Sequence, residues 1–149
     1  MTVWQDYLNL MRNLTKTLTQ LAQLEREKNA AASAGDLVMV EECIKREQVM
    51  SLTLRGYDQK RDIMLADLGL KGITLDQLEQ HSPDEFQLET KAVVEELRRQ
   101  YKLFQAASTV ARDTLEVNLR AIERLQAKQA GDAAEAEQTR KNHQTDFRA

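Results

Sequence analysis

From Pro83 to Gly131 the chain contains no residue that stops a helix. Along that stretch a seam recurs at alternating spacings of three and four: Val94, Leu97, Tyr101, Phe104, Ser108, Ala111, Leu115, Asn118, Ile122 and Leu125. Such alternation turns one face of a helix toward a neighbour over its whole length, as in a coiled coil. Phe86, Val93, Leu103, Val110 and Val117 flank the seam. About 47 residues at 1.5 Å per residue make a rod about 70 Å long.

The remaining sequence supplies shorter helices. Trp4, Tyr7 or Leu8, Met11, Leu14, Leu18 and Leu21 form a first seam, which then meets Glu25 and Lys28 and runs into Ala30–Ala32. Ser33-Ala34-Gly35-Asp36 breaks it: Gly35 suits a C-terminal cap and Asp36 the next N-cap. A second helix follows with Leu37, Val40, Ile44, Met50 or Ser51, Leu54, Tyr57, Met64 or Leu65, and Leu68 on its inner side, ending at Gly69. Leu70-Lys71-Gly72 reads as a turn. Thr74 with Gln77 makes a capping box for a short helix carrying Leu75 and Leu78. Ser82-Pro83-Asp84-Glu85 reads as the start of the long helix, with Ser82 as cap, Pro83 in the first turn and Glu85 closing the box.

The expected fold is all-α. An antiparallel helical hairpin and a long third helix form an elongated three-helix, coiled-coil-like bundle, with a short helix in the connector. The helices fall at about 2–34, 36–68, 74–80 and 83–130, so that 1–130 is one domain. Composition agrees: one Pro and five Gly in 149 residues leave too few turn formers for a sheet. Residues 131–149 hold Ala, Glu, Gln, Lys and Asn around a single large apolar side chain, Phe147. That segment cannot bury enough surface to offset the entropy of ordering and reads as a frayed helix or disordered tail.

Several functions lack their signatures. Twenty-one Lys and Arg against 24 Asp and Glu give a net charge of −3 without a basic block, so nucleic acid is not an expected partner. One cysteine cannot make an internal disulfide, and no apolar run approaches the roughly 20 residues of a membrane span. The expected compartment is the cytoplasm, without membrane insertion. Cys43 has no His at helical spacing and reads as a partly buried thiol. His81 and His143 stand apart from any ligand cluster and read as surface residues, so no metal or cofactor is expected. Glu41-Glu42 and Glu95-Glu96 are neighbours on a helix and point apart. With no phosphate loop and no serine elbow either, no enzyme activity is expected. Trp4 and Tyr7 read as core. Gly56, inside the second helix, either permits close helix approach or is merely tolerated. Asn118 either sits buried and sets register or is exposed on a projecting helix.

Length carries the functional argument. The first two helices, each about 30 residues, make a hairpin about 45–50 Å long, which the third exceeds by about 20 Å. If the third helix starts at the base of the hairpin, its far end passes the turn at Gly35. The overhang then holds Leu115, Val117, Leu119, Ile122 and Leu125, an apolar stripe beyond its own scaffold and open to a partner. Self-association as a coiled coil, or a tilt that covers the stripe, would use the same residues differently.

The order of features resembles the FlgN-like flagellar export chaperones. The matching parts are Lys45-Arg46-Glu47-Gln48 through Arg55, Arg61 and Leu65 to Leu68-Gly69-Leu70, then Gly72-Ile73-Thr74-Leu75-Asp76-Gln77-Leu78, then the long helix with Asn118 within Leu115-Glu116-Val117-Asn118-Leu119. Arg61 to Leu70 looks like that family's end of helix two, and the resemblance covers roughly residues 5–127. It implies a small cytoplasmic chaperone without catalytic activity, which binds hook-filament junction (hook-associated) proteins, prevents their premature assembly and delivers them to the flagellar type III export gate. Clients would bind the C-terminal part of the long helix, at Leu115, Asn118, Leu119, Ile122 and Leu125. Phe147 as an export-gate contact has no motif behind it. The expected state is a monomer or weak oligomer. The rival readings are a self-associating structural coiled-coil protein and a helical regulator that sequesters another protein.

Overall fold

The computed structural model describes the backbone of residues 2–148 and the side chains of residues 2–141. Four α-helices follow in order, α1 (Val3–Ser33), α2 (Leu37–Asp67), α3 (Leu75–His81) and α4 (Gln87–Arg148), with a 3-10 turn at Asp84–Phe86 before α4. The described residues contain no strand. None of these helices is long and apolar enough to cross a membrane.

Local chemistry sets most boundaries. Thr2 opens α1 by accepting the Gln5 N–H at 3.1 Å. At the other end Gly35 takes a φ of +72°. That left-handed conformation lets the Asp36 N–H reach Ala31 O at 2.9 Å and the Gly35 N–H reach Ala32 O at 3.1 Å. Two terminal carbonyls are thereby satisfied. Asp36 then accepts the Met39 N–H at 3.1 Å and starts α2. Gly69 repeats the pattern at the end of α2, where the Leu70 N–H reaches Leu65 O at 2.8 Å. The Thr74 N–H donates to Gln77 Oε1 at 3.2 Å, as the capping box requires.

Two boundaries of α4 depart from the sequence reading. Ser82 does not cap it: its hydroxyl is buried 2.8 Å from Thr90 Oγ1, and the chain enters α4 through the 3-10 turn instead. The Phe86 N–H closes that turn on Pro83 O at 2.9 Å. A buried hydroxyl one turn into the helix wins the Ser82 side chain from the exposed first-turn amides. At the far end α4 does not stop near residue 130 but continues through Gly131 to Arg148. Ala, Glu, Gln, Lys and Arg propagate a helix that has already nucleated, and one glycine costs it only about 1 kcal/mol. The described side chains from Ala121 to Lys141 are all exposed, so past the hairpin tip the described part of the extension buries none of them.

α1 is the centre of the fold. It packs on both α2 and α4, whereas the backbones of α2 and α4 do not come into contact among the described residues. Sixteen of its residues are accordingly buried, against three on α2. Trp4, Tyr7, Leu8, Met11, Leu14 and Leu18 join Leu65, Leu78, Val93, Val94 and Leu97 in the main core. Trp4 and Tyr7 are thus core residues, their rings 5.8 Å apart and tilted by 39°. With one neighbour, α2 has a narrow contact stripe of Val40, Cys43 and Leu65, backed by half-buried Leu54, Tyr57, Met64 and Leu68. Leu37 and Ile44, expected on the inner side, are exposed for that reason.

The direction and register of α4 follow from three contacts with α1. Trp4 Nε1 donates to Thr90 Oγ1 at 3.0 Å, the Thr114 hydroxyl donates to Asn29 Oδ1, and Asn118 Nδ2 donates to Ala32 O. The paired residues are 86, 85 and 86 positions apart, so the two helices run parallel without slipping. α2 runs back the other way: Val40 packs on Ala31 and Ala32 near the turn, and Leu65 joins the core around Trp4 and Leu8. The last turn of α1 is therefore level with Asn118 of α4.

Candidate functional site

The end of α1 is made of Ala30, Ala31, Ala32, Ser33, Ala34 and Gly35, which offer nothing longer than a hydroxymethyl group. α4 passes this end carrying Leu115, Leu119, Ile122 and Leu125. Large side chains on one wall and methyl groups on the other leave space between them. The result is a groove of about 510 Å³ lined by Leu115, Asn118, Leu119, Ala121, Ile122 and Leu125 of α4 and by Ala32 to Gly35, Leu37 and Val40 of the hairpin.

All five residues named from the sequence as client contacts line this one groove. Leu115 is half-buried against Ala31, Ala32 and Val40. Leu119, Ile122 and Leu125 are 55%, 40% and 59% exposed. Asn118 takes a course between its two expected roles: half-buried, it donates to Ala32 O, one of the last carbonyls of α1, and so pins the register at the groove floor.

The placement of the stripe differs from the sequence expectation. Leu115 and Asn118 lie beside the last turn of α1 rather than beyond it, and Leu119 to Leu125 pass the turn within reach of Gly35 and Leu37. What extends freely is the polar stretch after Leu125. Parallel packing at a constant offset of about 86 residues is the cause, since it brings α4 level with Gly35 only near residue 121. The stripe and the hairpin tip together make a concave surface where a bare helix would offer a convex one.

A second, polar groove of about 300 Å³ adjoins the first, sharing Leu115 and Leu119 with it. Its floor is an ion cluster: Lys28 Nζ lies 2.6 Å from Glu47 Oε1 and 3.1 Å from Glu25 Oε2. Glu25 and Lys28 are both buried, and the side chains of Glu25 and Glu47 share the one Lys28 amine. Arg112 and Glu116 of α4 form the opposite wall. In the sequence Glu25 and Lys28 stand on the first seam with no place assigned to them. The signal was the spacing, because Leu21, Glu25 and Lys28 continue the three-four alternation of α1 into the interior. Their partner Glu47 lies 19 positions from Lys28 on α2, which no local pattern reveals.

The remaining candidates stay apart. Cys43 is fully buried, and burial pushes its thiol above the ordinary value, with Glu27 adding to the effect. His81 is exposed at the end of α3. Glu42 pairs with Arg46 at 3.3 Å and Glu96 with Arg99 at 2.9 Å, each along its own helix. Among the described residues no three His, Cys, Asp or Glu side chains group to hold a metal ion. The side chains of His143 and Phe147, and with the latter the expected export-gate contact, lie outside the described residues. Comparison with known proteins finds no matching family model, curated protein or solved structure.

Proposed function

We propose that this protein is a cytoplasmic chaperone of flagellar type III export, built as an elongated bundle in which the α1–α2 hairpin carries the long α4. Its clients are hook-filament junction proteins, whose aggregation-prone amphipathic ends occupy the groove between α4 and the hairpin tip until handover at the export apparatus. The observation that carries this reading is the convergence of Leu115, Asn118, Leu119, Ile122 and Leu125 on one apolar groove at the hairpin turn. No catalytic step is involved. The client's apolar side chains replace water over Leu119, Ile122 and Leu125, and the same burial hides from other copies of the client the surface that drives its polymerisation.

Each anchor fully buried in such a groove contributes about 1.5–3 kcal/mol. Leu119→Asp with Ile122→Asp therefore weakens client binding by about a hundredfold or more, while leaving helicity unchanged because both positions are exposed. Pull-down or calorimetry with purified junction proteins reads this directly, and unchanged affinity overturns the reading. A self-associating structural coiled-coil protein would use the same exposed Leu119, Ile122 and Leu125. In that case the double variant abolishes a concentration-dependent rod in light scattering and affects no client. A regulator that sequesters another protein would use the same groove but capture a different partner.

A further inference from the structure

The outward face of α2 carries a second apolar stripe, independent of the groove. Val38, Val49, Leu52 and Ile63 are 80%, 65%, 66% and 63% exposed. At 100° per residue they fall within an arc of about 60°, on the side of the helix opposite Val40, Cys43 and Leu65. Gly56 lies on the same line, with open space where a Cβ would stand. Among the described residues α1 is the one helix whose backbone contacts α2, and it takes the other side. Between Val38 and Ile63 the same arc holds Lys45 as its one charged residue, with polar residues on either side of the line.

The order of the stripe is symmetric. Its spacings are eleven, three and eleven residues, the same in either direction. Laid against a second copy about a two-fold axis between Val49 and Leu52, Val38 meets Ile63 of the second copy and Val49 meets Leu52. The Lys45 stem lies over Gly56, where the missing side chain admits it. An antiparallel two-fold pair also brings the same edge of each helix together. Glu42, which also pairs with Arg46 along its own helix at 3.3 Å, and Lys60 share one edge at nearly equal distances from the axis, so each carboxylate faces an ammonium. On the other edge Glu41 faces Gln59.

From this self-complementarity in both apolar spacing and edge charge we infer that the outward face of α2 is the interface of an antiparallel homodimer. A partner of different sequence would impose no such symmetry. The paired length, about 38 Å of one helix, buries less than the roughly 800 Å² per partner of a standard interface, so the dimer is weak and concentration-dependent. It leaves the groove at α4 open and holds whether or not that groove binds export clients.

Sedimentation of the full chain tests it. The mass rises from 17.1 kDa toward twice that value as concentration reaches hundreds of micromolar. Leu52→Glu buries an unpaired carboxylate against Val49 of the second copy and weakens association by about tenfold or more, whereas Leu119→Asp on α4 leaves it unchanged. Orientation is read by oxidising a mixture of Val38→Cys and Ile63→Cys chains, with the buried Cys43 left in place. The mixed disulfide exceeds either self-pairing. A monomer at all these concentrations, a dimer indifferent to Leu52→Glu, or Val38→Cys coupling chiefly with itself overturns the inference.

Discussion

Replacing Thr90 by Val tests the contact that anchors the base of α4. Thr90 is fully buried, accepts the Trp4 indole N–H at 3.0 Å and lies 2.8 Å from the Ser82 hydroxyl. Valine has nearly the same shape, so the substitution opens no cavity and removes only the hydroxyl. The Ser82 hydroxyl still donates to Pro83 O at 3.3 Å. The indole N–H, on a tryptophan only 5% exposed, is left without a partner. An orphaned buried donor costs about 1–3 kcal/mol, and in a chain of this size a central value of about 2 kcal/mol lowers Tm by about 4–8 °C. Urea unfolding followed both by Trp4 fluorescence and by helix dichroism measures it, since Trp4 is the sole tryptophan. Thr90→Ser is the control: it keeps the hydroxyl, loses one buried methyl and costs about 1 kcal/mol. In a Trp4→Phe background the orphan no longer exists, and Thr90→Val becomes cheaper. A loss within about 0.5 kcal/mol of zero for Thr90→Val, or a larger loss for Thr90→Ser than for Thr90→Val, refutes the reasoning.

Three further outcomes follow from other parts of the fold. Cys43 reacts with an alkylating reagent only as fast as the chain opens, because burial keeps the thiol protonated and covered; its rate therefore climbs with urea in step with unfolding, measured by mass spectrometry. Glu89 is held below the usual carboxylate value by hydrogen bonds from Arg12 and then Gln5, and Glu96 by Arg99 and then Gln100. Their contribution is present above the ordinary Glu value near pH 4.3 and is lost as pH falls through the lowered values, so Glu89→Gln with Glu96→Gln flattens the acid side of a Tm-against-pH profile. Gly35→Ala meets no steric neighbour but must hold a φ of +72°, which costs about 1 kcal/mol. Gly56→Ala, in open space within a helix, raises stability in dilute solution by about 0.5–1 kcal/mol, and thermal melts of the two variants should therefore move in opposite directions.

The helices were legible because their signals are local. Gly35, Asp36, Gly69 and the Thr74–Gln77 box act on backbone groups within a few residues of themselves, and each does what the sequence indicates. Ser82 is the informative failure. Read locally it is an N-cap, but Thr90 and Trp4 form a buried site for its hydroxyl, and that site exists only once α1 and α4 have docked. Gly131 fails for the opposite reason, since one glycine weighs little against a long run of strong helix formers.

The candidate site divides along the same line. The three-four spacing placed Leu115, Asn118, Leu119, Ile122 and Leu125 on one face of α4, and the alanines before Gly35 were plain in the chain. Docking decided that these two features meet, because the offset between α1 and α4 is set by Trp4–Thr90 at one end and Asn118–Ala32 at the other. Helix formation and capping depend on neighbours in sequence, so the amino-acid order alone determined that four helices form and which residues make the seams of α1 and α4. Whether an apolar face becomes core, groove or open surface depends on which helix lies opposite. Only the tertiary structure decided that α1 is enclosed on two sides, that α2 keeps an uncovered stripe, and that α4 meets the hairpin tip before it extends alone.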